Sequence, residues 1–182
     1  LQNLPVFRGT AVPSLKLFAD RLAEFPLVYQ PGTRWSYSMG ADLMGRVIEV
    51  VSGQKFDDFL QHRPFDPLGM QDTDFFVASG KLDRFANCYQ VKDGQLVVQD
   101  DAFASAFAAP PALESGGGGL VGTAGDYMRF CRMLLNGGSL DGTQLLSPKT
   151  VTLMTMNHLP GGVQMTDIMP STILFNETGY AG

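Results

Sequence analysis

The residues that could do chemistry in this sequence lie in one short stretch behind a Pro-Gly turn at residues 31–32. Trp35, the only tryptophan, stands two residues before Tyr37, and Ser38 and Met39 follow directly. A phenol titrates at about pH 10, so a tyrosine can accept a proton at neutral pH only where nearby cations stabilise the phenolate. A serine presented by a loop at the start of a helix is a candidate nucleophile.

An apolar segment follows this stretch and is expected to hold it in place. Apolar residues recur three and four positions apart between Ala41 and Val51, which predicts an α-helix with a wide buried face. Gly53 is expected to end this helix, because glycine readily adopts the left-handed conformation found after helices. The apolar positions are Leu43, Met44, Val47, Ile48 and Val51. Tyr37 and Ser38 are therefore predicted to lie where a loop becomes a helix.

Four further helices are predicted from the same apolar spacing. Ser14 and Ser147 stand where N-caps are expected, and Thr123 followed three residues later by Asp126 is typical of a capping arrangement. Proline residues are expected to end the first helix after Phe25 and the helix after Gly53 at Pro64, since proline cannot continue the hydrogen-bond ladder. The predicted ranges are 15–25, 55–63, the segment after Thr123 up to Leu135, and 148–156.

Short strands and a glycine run complete the predicted elements. Residues 71–77 predict a short strand, and residues 87–91 and 95–99 flank a Lys-Asp-Gly turn that is typical of a β-hairpin. Four consecutive glycines stand at 116–119. No Gly-Lys-Ser or Gly-Lys-Thr follows them, so a phosphate-binding loop is rejected. Close backbone packing or a strand-to-helix turn is the expected role of the run.

Composition excludes several classes of protein. The 182 residues are 45% apolar and 17% charged with a net charge of −5, which argues against disorder and against a nucleic-acid-binding surface. No apolar run approaches the length of a membrane span. Cys88 and Cys131 have no metal-ligand spacing, and the histidines are too few and scattered, so neither a metal nor a cofactor is expected. The sequence does not decide whether the two cysteines form a disulfide, and it therefore does not decide the compartment of the protein.

Blocks of sequence in a fixed order resemble the serine β-lactamase-like superfamily. This group holds class C β-lactamases, D-alanyl-D-alanine peptidases and family VIII carboxylesterases. The resemblance implies an α/β (α+β) protein with the three-layer β-lactamase/transpeptidase-like fold. This segment would supply mainly its helical subdomain, with a hairpin and short strands. The matching blocks are 31–38 with the helix 43–53, then 65–73, 117–126 and 145–151.

The resemblance also implies a mechanism and roles for three residues. In this family a serine of a Ser-x-x-Lys motif attacks a carbonyl, a tyrosine of a Tyr-x-Asn motif shuttles the proton, and a Lys-Thr-Gly strand binds the substrate carboxylate. Tyr37 corresponds to that tyrosine and is expected to be catalytic, with Trp35 and Met39 in contact with substrate. Met39 stands where the family often has asparagine and cannot form the amide's hydrogen bonds. We therefore expect a small-molecule ester in preference to a β-lactam-type amide.

The nucleophile is not expected within this segment. Ser52 and Lys55 match Ser-x-x-Lys, but Ser52 closes a predicted helix that Gly53 breaks, whereas the family's serine opens one. Lys149 follows a Ser-Pro pair at a predicted helix start, so it is not expected to belong to the carboxylate-binding strand. Both missing elements are expected beyond the two ends, which makes residues 1–182 a single partial domain.

Two other interpretations stay open. Residues 36–40 are one position away from the Gly-x-Ser-x-Gly elbow of α/β-hydrolases, with Ser38 as nucleophile. That elbow needs a preceding buried strand and a histidine. His62 is expected to be solvated or to interact with the dipole at a helix C-terminus, and His158 is expected to be a structural loop residue. The other interpretation is a non-catalytic β-lactamase-like binding protein, suggested by Met39 and by the absent motifs. The sequence leaves the oligomeric state open.

We expect the 182-residue chain alone to be inactive as an esterase, because it carries the tyrosine without the nucleophile pair. The measurement is release of p-nitrophenol from a short-chain p-nitrophenyl ester by this chain and by its Ser52→Ala variant. Ester hydrolysis that the Ser52→Ala change abolishes would contradict both the expected inactivity and the structural interpretation of Ser52.

Overall fold

The computed structural model describes residues 14–27, 29–33 and 39–163 of the chain. The first helix, α1, spans Leu15–Leu22, and the Ser14 hydroxyl caps it by accepting the Leu17 N–H at 3.2 Å. The helix ends three residues before the predicted end, and Phe25 is 51% exposed. The cause is Pro26, because the residue before a proline avoids the helical region. The turn before Pro26 is therefore tighter than an α-helical turn, and the Phe25 N–H donates to the Leu22 carbonyl three residues earlier.

Helix α2 spans Gly40–Ser52 and ends at Gly53, which has a φ of +71° as predicted. The prediction of a wide buried face is wrong within the described residues. The buried position is Gly45, where an added Cβ would stand 3.1 Å from both Leu15 and Phe56. The neighbouring helices α1 and α3 (Phe56–Leu60) therefore approach α2 along this glycine and leave its apolar stripe uncovered. The exposed apolar residues of α2 are Leu43, Met44, Val47, Val50 and Val51.

Pro64 does not end the helix that contains it, contrary to the prediction. A π-helical turn at Gln61–Phe65 continues α3 directly into the short helix α4 at Asp66–Leu68. The Asp66 N–H reaches back five residues to the Gln61 carbonyl, and this wider turn accommodates a proline that lacks the N–H of an ordinary ladder. Gly69, with a φ of +67°, then ends the helical run.

The predicted strand at 71–77 is also absent from the described structure. Asp74 forms an isolated bridge to Val121 through two backbone hydrogen bonds of 3.1 and 2.8 Å, and the Val77 N–H donates separately to the Phe107 carbonyl at 2.7 Å. The donors beside Asp74 have other partners: the Asp72 N–H donates to the Asp126 carboxylate at 2.7 Å, and the Phe75 N–H donates to Asp74 Oδ1 at 2.6 Å. The Asp72 N–H, which a ladder with the Val121 segment would use next, is therefore already bonded.

The hairpin is confirmed. Strands β1 (Cys88–Lys92) and β2 (Gln95–Asp100) pair antiparallel, with Val91 opposite Leu96. Asp93 and Gly94 both have positive φ values of 52° and 76°, which is the type I′ turn that suits the twist of a two-residue hairpin. A 3₁₀ helix at Ser79–Arg84 leads into β1. A second 3₁₀ turn at Ala106–Ala108 follows β2.

Helix α5 spans Ala124–Leu135 and is capped as predicted, since Thr123 Oγ1 accepts the Asp126 N–H at 3.1 Å. The Asp126 carboxylate, however, accepts hydrogen bonds from Asp72 and from the Thr73 hydroxyl at 2.9 Å, which ties α5 to a loop more than fifty residues away. Met133 of the same helix is fully buried in the main core cluster. Its buried partners there are Phe65, Leu68, Met70 and Leu140.

The described chain ends with small elements around α5. Strands β3 (Ser139–Leu140) and β4 (Thr143–Gln144) form a two-stranded ribbon. Helix α6 spans Pro148–Met154, two residues shorter than predicted, with the Ser147 hydroxyl accepting the Thr150 N–H at 3.1 Å. A 3₁₀ turn follows at Pro160–Gly162. No helix in these described ranges is long and apolar enough to cross a bilayer.

We predict that Asp126→Ala lowers the free energy of unfolding by about 2–4 kcal/mol, because two part-buried donors lose a charged acceptor. Asp126 is only 8% exposed, so water cannot easily replace the carboxylate. The measurement is urea unfolding of the chain followed by circular dichroism. Asp20→Ala is the matched control, since it removes an exposed carboxylate paired with Lys16 and should cost less than about 1 kcal/mol. Equal losses in the two variants would contradict this role of Asp126.

Candidate active site

The chemistry-bearing stretch is described at its two flanks. Trp35, Tyr37 and Ser38 lie outside the described residues. On the N-terminal flank, Gly32 has a φ of +79° and the Thr33 N–H donates to the Gln30 carbonyl at 3.2 Å, which confirms the predicted Pro-Gly turn. On the C-terminal flank the chain enters α2.

Met39 forms the C-terminal flank and is the residue before α2 begins. Its side chain is 6% exposed and packs against Phe18 in a small core cluster with Leu17, Leu22 and Leu113. It makes no capping hydrogen bond to the helix. The structure therefore places Met39 in the core between α1 and α2, and its contact with a substrate stays a prediction.

Of the two roles expected for the glycine run, the structure shows close backbone packing, and its partner is the start of α2. A Cβ at Gly116 would overlap the Ala41 carbonyl oxygen, and one at Gly119 would stand 2.7 Å from the Ser115 carbonyl oxygen. A side chain at Gly116 would push the loop away from the helix, and one at Gly119 would disrupt the fold of the loop itself. We call residues 115–119 the glycine loop.

Asp42, in the first turn of α2, binds the glycine loop. Its Oδ1 atom accepts the Ser115 hydroxyl at 2.5 Å and the Gly117 N–H at 3.2 Å. A carboxylate is also favourable at this place because the N-terminal end of a helix carries partial positive charge. Sequence reasoning missed this contact, since the two segments are more than seventy residues apart and neither polar residue belongs to a motif.

The literal Ser-x-x-Lys match has the geometry of a helix end. The Ser52 hydroxyl donates to the Ile48 carbonyl at 2.7 Å and accepts the Gln54 N–H at 3.2 Å. Gly53 then breaks the helix, and Lys55 stands at the N-cap position of α3. The serine and lysine thus lie on different helices, which is not the one-face arrangement that a nucleophile pair needs.

Lys149, His62 and His158 are the other residues considered as candidates. Lys149 lies in the first turn of α6, so its Lys-Thr-Val run is helical as predicted. His62 Nδ1 stands 2.7 Å from the Asp58 carbonyl, and His158 Nε2 stands 2.6 Å from the Leu153 carbonyl. Each contact joins the ring to a helical carbonyl four or five residues earlier in the chain.

A second polar cluster lies at a small cavity of about 120 Å³. Asp72 accepts two hydrogen bonds from Arg84, at 2.8 and 3.1 Å, and one contact from Lys81 Nζ at 2.8 Å. Arg84, and after it Lys81, hold the pKa of the Asp72 carboxyl well below its usual range. Sequence reasoning missed the cluster because the 3₁₀ helix that carries both cations has no apolar period. The charged groups of the cluster pair with one another. The cluster therefore joins two segments of the chain and offers no free acid or base.

Side chains that could together bind a metal ion do not cluster in the described part of the chain. No group of three or more histidine, cysteine, aspartate or glutamate side chains there is arranged to hold a metal ion. Cys88 is exposed, Cys131 is half-buried, and both thiols are free.

The fold defines the class of this protein. Its mixture of helices and short antiparallel strands is that of β-lactamase/transpeptidase-like proteins. Simvastatin synthase from Aspergillus terreus, as a mutant crystal structure, superposes with a TM-score of 0.69 at 28% identity, over 92% of this chain and 44% of that one. The chain belongs to the Beta-lactamase family, whose sequence profile matches residues 3–165.

Curated relatives agree with this assignment. An uncharacterized protein of Mycobacterium tuberculosis is 38% identical over 158 residues, which are 87% of this chain and 38% of that protein. A lovastatin esterase of Penicillium rubens is 33% identical over 142 residues, or 77% of this chain and 35% of the esterase. The chain therefore spans well under half the length of the relatives it matches.

We predict that the contribution of Asp72 to stability disappears in acid. Its folded-state pKa is depressed, whereas an aspartate in the unfolded chain titrates at about 3.9. The stabilisation is therefore complete above about pH 5 and is lost as the pH falls through 4 towards the folded-state pKa. The measurement is the difference in unfolding free energy between the wild type and Asp72→Asn, by urea titration at several pH values.

The control for this prediction is the same comparison in an Arg84→Gln background. There the difference should vary less with pH, because the largest cause of the depressed pKa has been removed. A wild-type difference that stays constant from about pH 6 to about pH 3 would contradict the linkage.

Proposed function

We propose that the intact protein is a serine hydrolase that cleaves carboxylic esters through an acyl-enzyme, with Tyr37 as proton shuttle and the nucleophile outside residues 1–182. One observation carries this proposal: in a chain of the Beta-lactamase family, Tyr37 stands three residues before Gly40, the first residue of α2. The described turn at residues 30–33 and the packed Met39 fix the chain on either side of it.

In the proposed reaction, Tyr37 moves one proton twice. As phenolate it accepts the proton of the attacking serine hydroxyl while the serine oxygen bonds to the ester carbonyl carbon. It then gives that proton to the alkoxide that leaves, so the alcohol departs neutral and an acyl-enzyme remains. Water attacks the acyl-enzyme by the same proton transfers and regenerates the serine. A nearby lysine cation must stabilise the phenolate, because an isolated phenol has a pKa of about 10 and is almost entirely protonated at neutral pH.

Two observations favour an ester over a β-lactam-type amide. Met39 has no group that could bond a substrate amide, and its side chain lies in the core. The lovastatin esterase among the similar proteins is named for ester hydrolysis.

We also propose that this chain forms the helical part of one larger domain. The apolar stripe of α2 supports this, since Val51 is 81% exposed and four apolar neighbours on the same helix are exposed with it. Continuous apolar surface of this kind normally covers another part of a protein. The coverage of only 35–44% of the relatives' lengths is in keeping with such a larger domain.

A second candidate function is binding without catalysis. The specific observation in its favour is again Met39, which replaces a polar residue of the family motif by a buried apolar one. The complete gene discriminates between the two. A Ser-x-x-Lys motif opening a helix upstream of residue 1 supports the hydrolase, and its absence supports the binding protein.

We predict that Tyr37→Phe lowers kcat of the complete protein on p-nitrophenyl butyrate by at least about 100-fold, because general acid–base catalysis contributes factors of 10² to 10⁴. Tyr127→Phe is the matched control: it removes the same hydroxyl from a residue that is 68% exposed on α5, and it should leave kcat unchanged. The chromogenic β-lactam nitrocefin serves as the competing substrate.

Near-normal ester turnover by Tyr37→Phe would remove Tyr37 from the mechanism. Faster turnover of nitrocefin than of the ester by the wild type would contradict the ester preference alone. A wild-type protein without activity on either substrate would favour the binding protein.

A further inference from the structure

We propose that Asp42 is a positioning residue for Tyr37. Its carboxylate, bound to Ser115 and to the Gly117 N–H of the glycine loop, fixes the first turn of α2 and thereby the segment that enters it. The catalytic part of this inference rests on the proposed function. The positional part concerns residues 1–182 alone and can be tested without any activity.

The start of α2 needs a support that other helices of the described chain obtain locally. Helices α1, α5 and α6 are each capped by a serine or threonine hydroxyl that accepts a backbone N–H of the first turn. Met39 stands at the corresponding position of α2 and has no such side-chain bond. A helix without an N-cap loses about 1 kcal/mol and frays at its first turn.

The glycine loop supplies that support from outside the helix. Asp42 receives two hydrogen bonds from it, and Gly116 lies so close to the Ala41 carbonyl that no side chain fits between them. These contacts join Ala41 and Asp42, two consecutive residues of the first turn, to the glycine loop. Met39, the residue before the helix, packs in the core cluster with Phe18 and Leu113. The first turn is therefore held by core packing as well as by the glycine loop.

The consequence for catalysis follows from chain connectivity. Tyr37 stands two residues before Met39 and five before Asp42, so displacement of the first turn displaces the backbone that carries the phenol. A misplacement of about 1 Å in a catalytic group can cost about 100-fold in rate. Asp42 itself acts through this positioning and has no proposed contact with the substrate.

The kinetic experiment compares three variants of the complete protein with one control. We expect Asp42→Ala to lower kcat on p-nitrophenyl butyrate by about 10- to 100-fold with KM changed less than about threefold, since orientation rather than binding is lost. Ser115→Ala should lower kcat less, because Asp42 keeps the Gly117 N–H. Asp42→Asn keeps an acceptor oxygen in place and should restore most of the rate.

Ser52→Ala is the matched control. It removes a serine hydroxyl from the opposite end of the same helix, where that hydroxyl bonds the Ile48 carbonyl. It should lower stability about as much as Ser115→Ala while leaving kcat unchanged. A kcat that falls equally in both serine variants would reduce Asp42 and Ser115 to a general structural role and overturn the inference.

Trp35, the only tryptophan of the chain, gives the readout that does not depend on activity. We expect Asp42→Ala and Ser115→Ala to shift its emission maximum and increase acrylamide quenching in the 182-residue chain. Asp42→Asn and Ser52→Ala should match the wild type. An unchanged Trp35 signal in Asp42→Ala, with circular dichroism unchanged as well, would overturn the positional inference. An inactive complete protein with the expected Trp35 changes would instead overturn the proposed function alone.

Discussion

The glycine loop can lie against the start of α2 only because its backbone carries no side chain at the point of contact. A Cβ at Gly116 would overlap the Ala41 carbonyl oxygen, and this approach places the Gly117 N–H within reach of Asp42. The contact joins positions more than seventy residues apart in the sequence. It thereby closes a large part of the chain, from α3 to the hairpin, into one loop whose two ends meet at the first turn of α2.

A second carboxylate repeats the arrangement at α5. Asp126, like Asp42, lies in the first turn of its helix and accepts hydrogen bonds from a distant loop, in this case from Asp72 and Thr73. The partial positive charge of a helix N-terminus favours a carboxylate at both places. The acids of the two helices therefore serve as tertiary anchors, and the short loop between Asp126 and the glycine run connects one anchor to the other.

Local signals in the sequence predicted the elements whose cause is local. The cap at Ser147 and the positive-φ pair Asp93 and Gly94 depend on residues a few positions apart, and the predicted helix and hairpin are present. The apolar period of α2 predicted the helix but not its exposure, which depends on what else packs there. The bonding of Asp72 to Asp126, which excludes a strand at 71–77, has no local signature. For the candidate site, the family motifs point to Tyr37, which lies outside the described residues and stays a prediction. The Asp42–Ser115 contact required the folded chain because its residues fit no motif.

The central claim is that the segment before α2 presents Tyr37 to a nucleophile supplied from outside residues 1–182. The most direct measurement is a crystal structure of the complete protein after reaction with a p-nitrophenyl phosphonate ester, which phosphonylates the active serine. We expect the adduct on a serine that opens a helix upstream of residue 1, with a lysine three positions later. The Tyr37 hydroxyl should lie about 2.5–3.0 Å from the serine oxygen. An adduct on Ser38 or Ser52, or a Tyr37 hydroxyl beyond hydrogen-bond distance of the modified serine, would contradict the account.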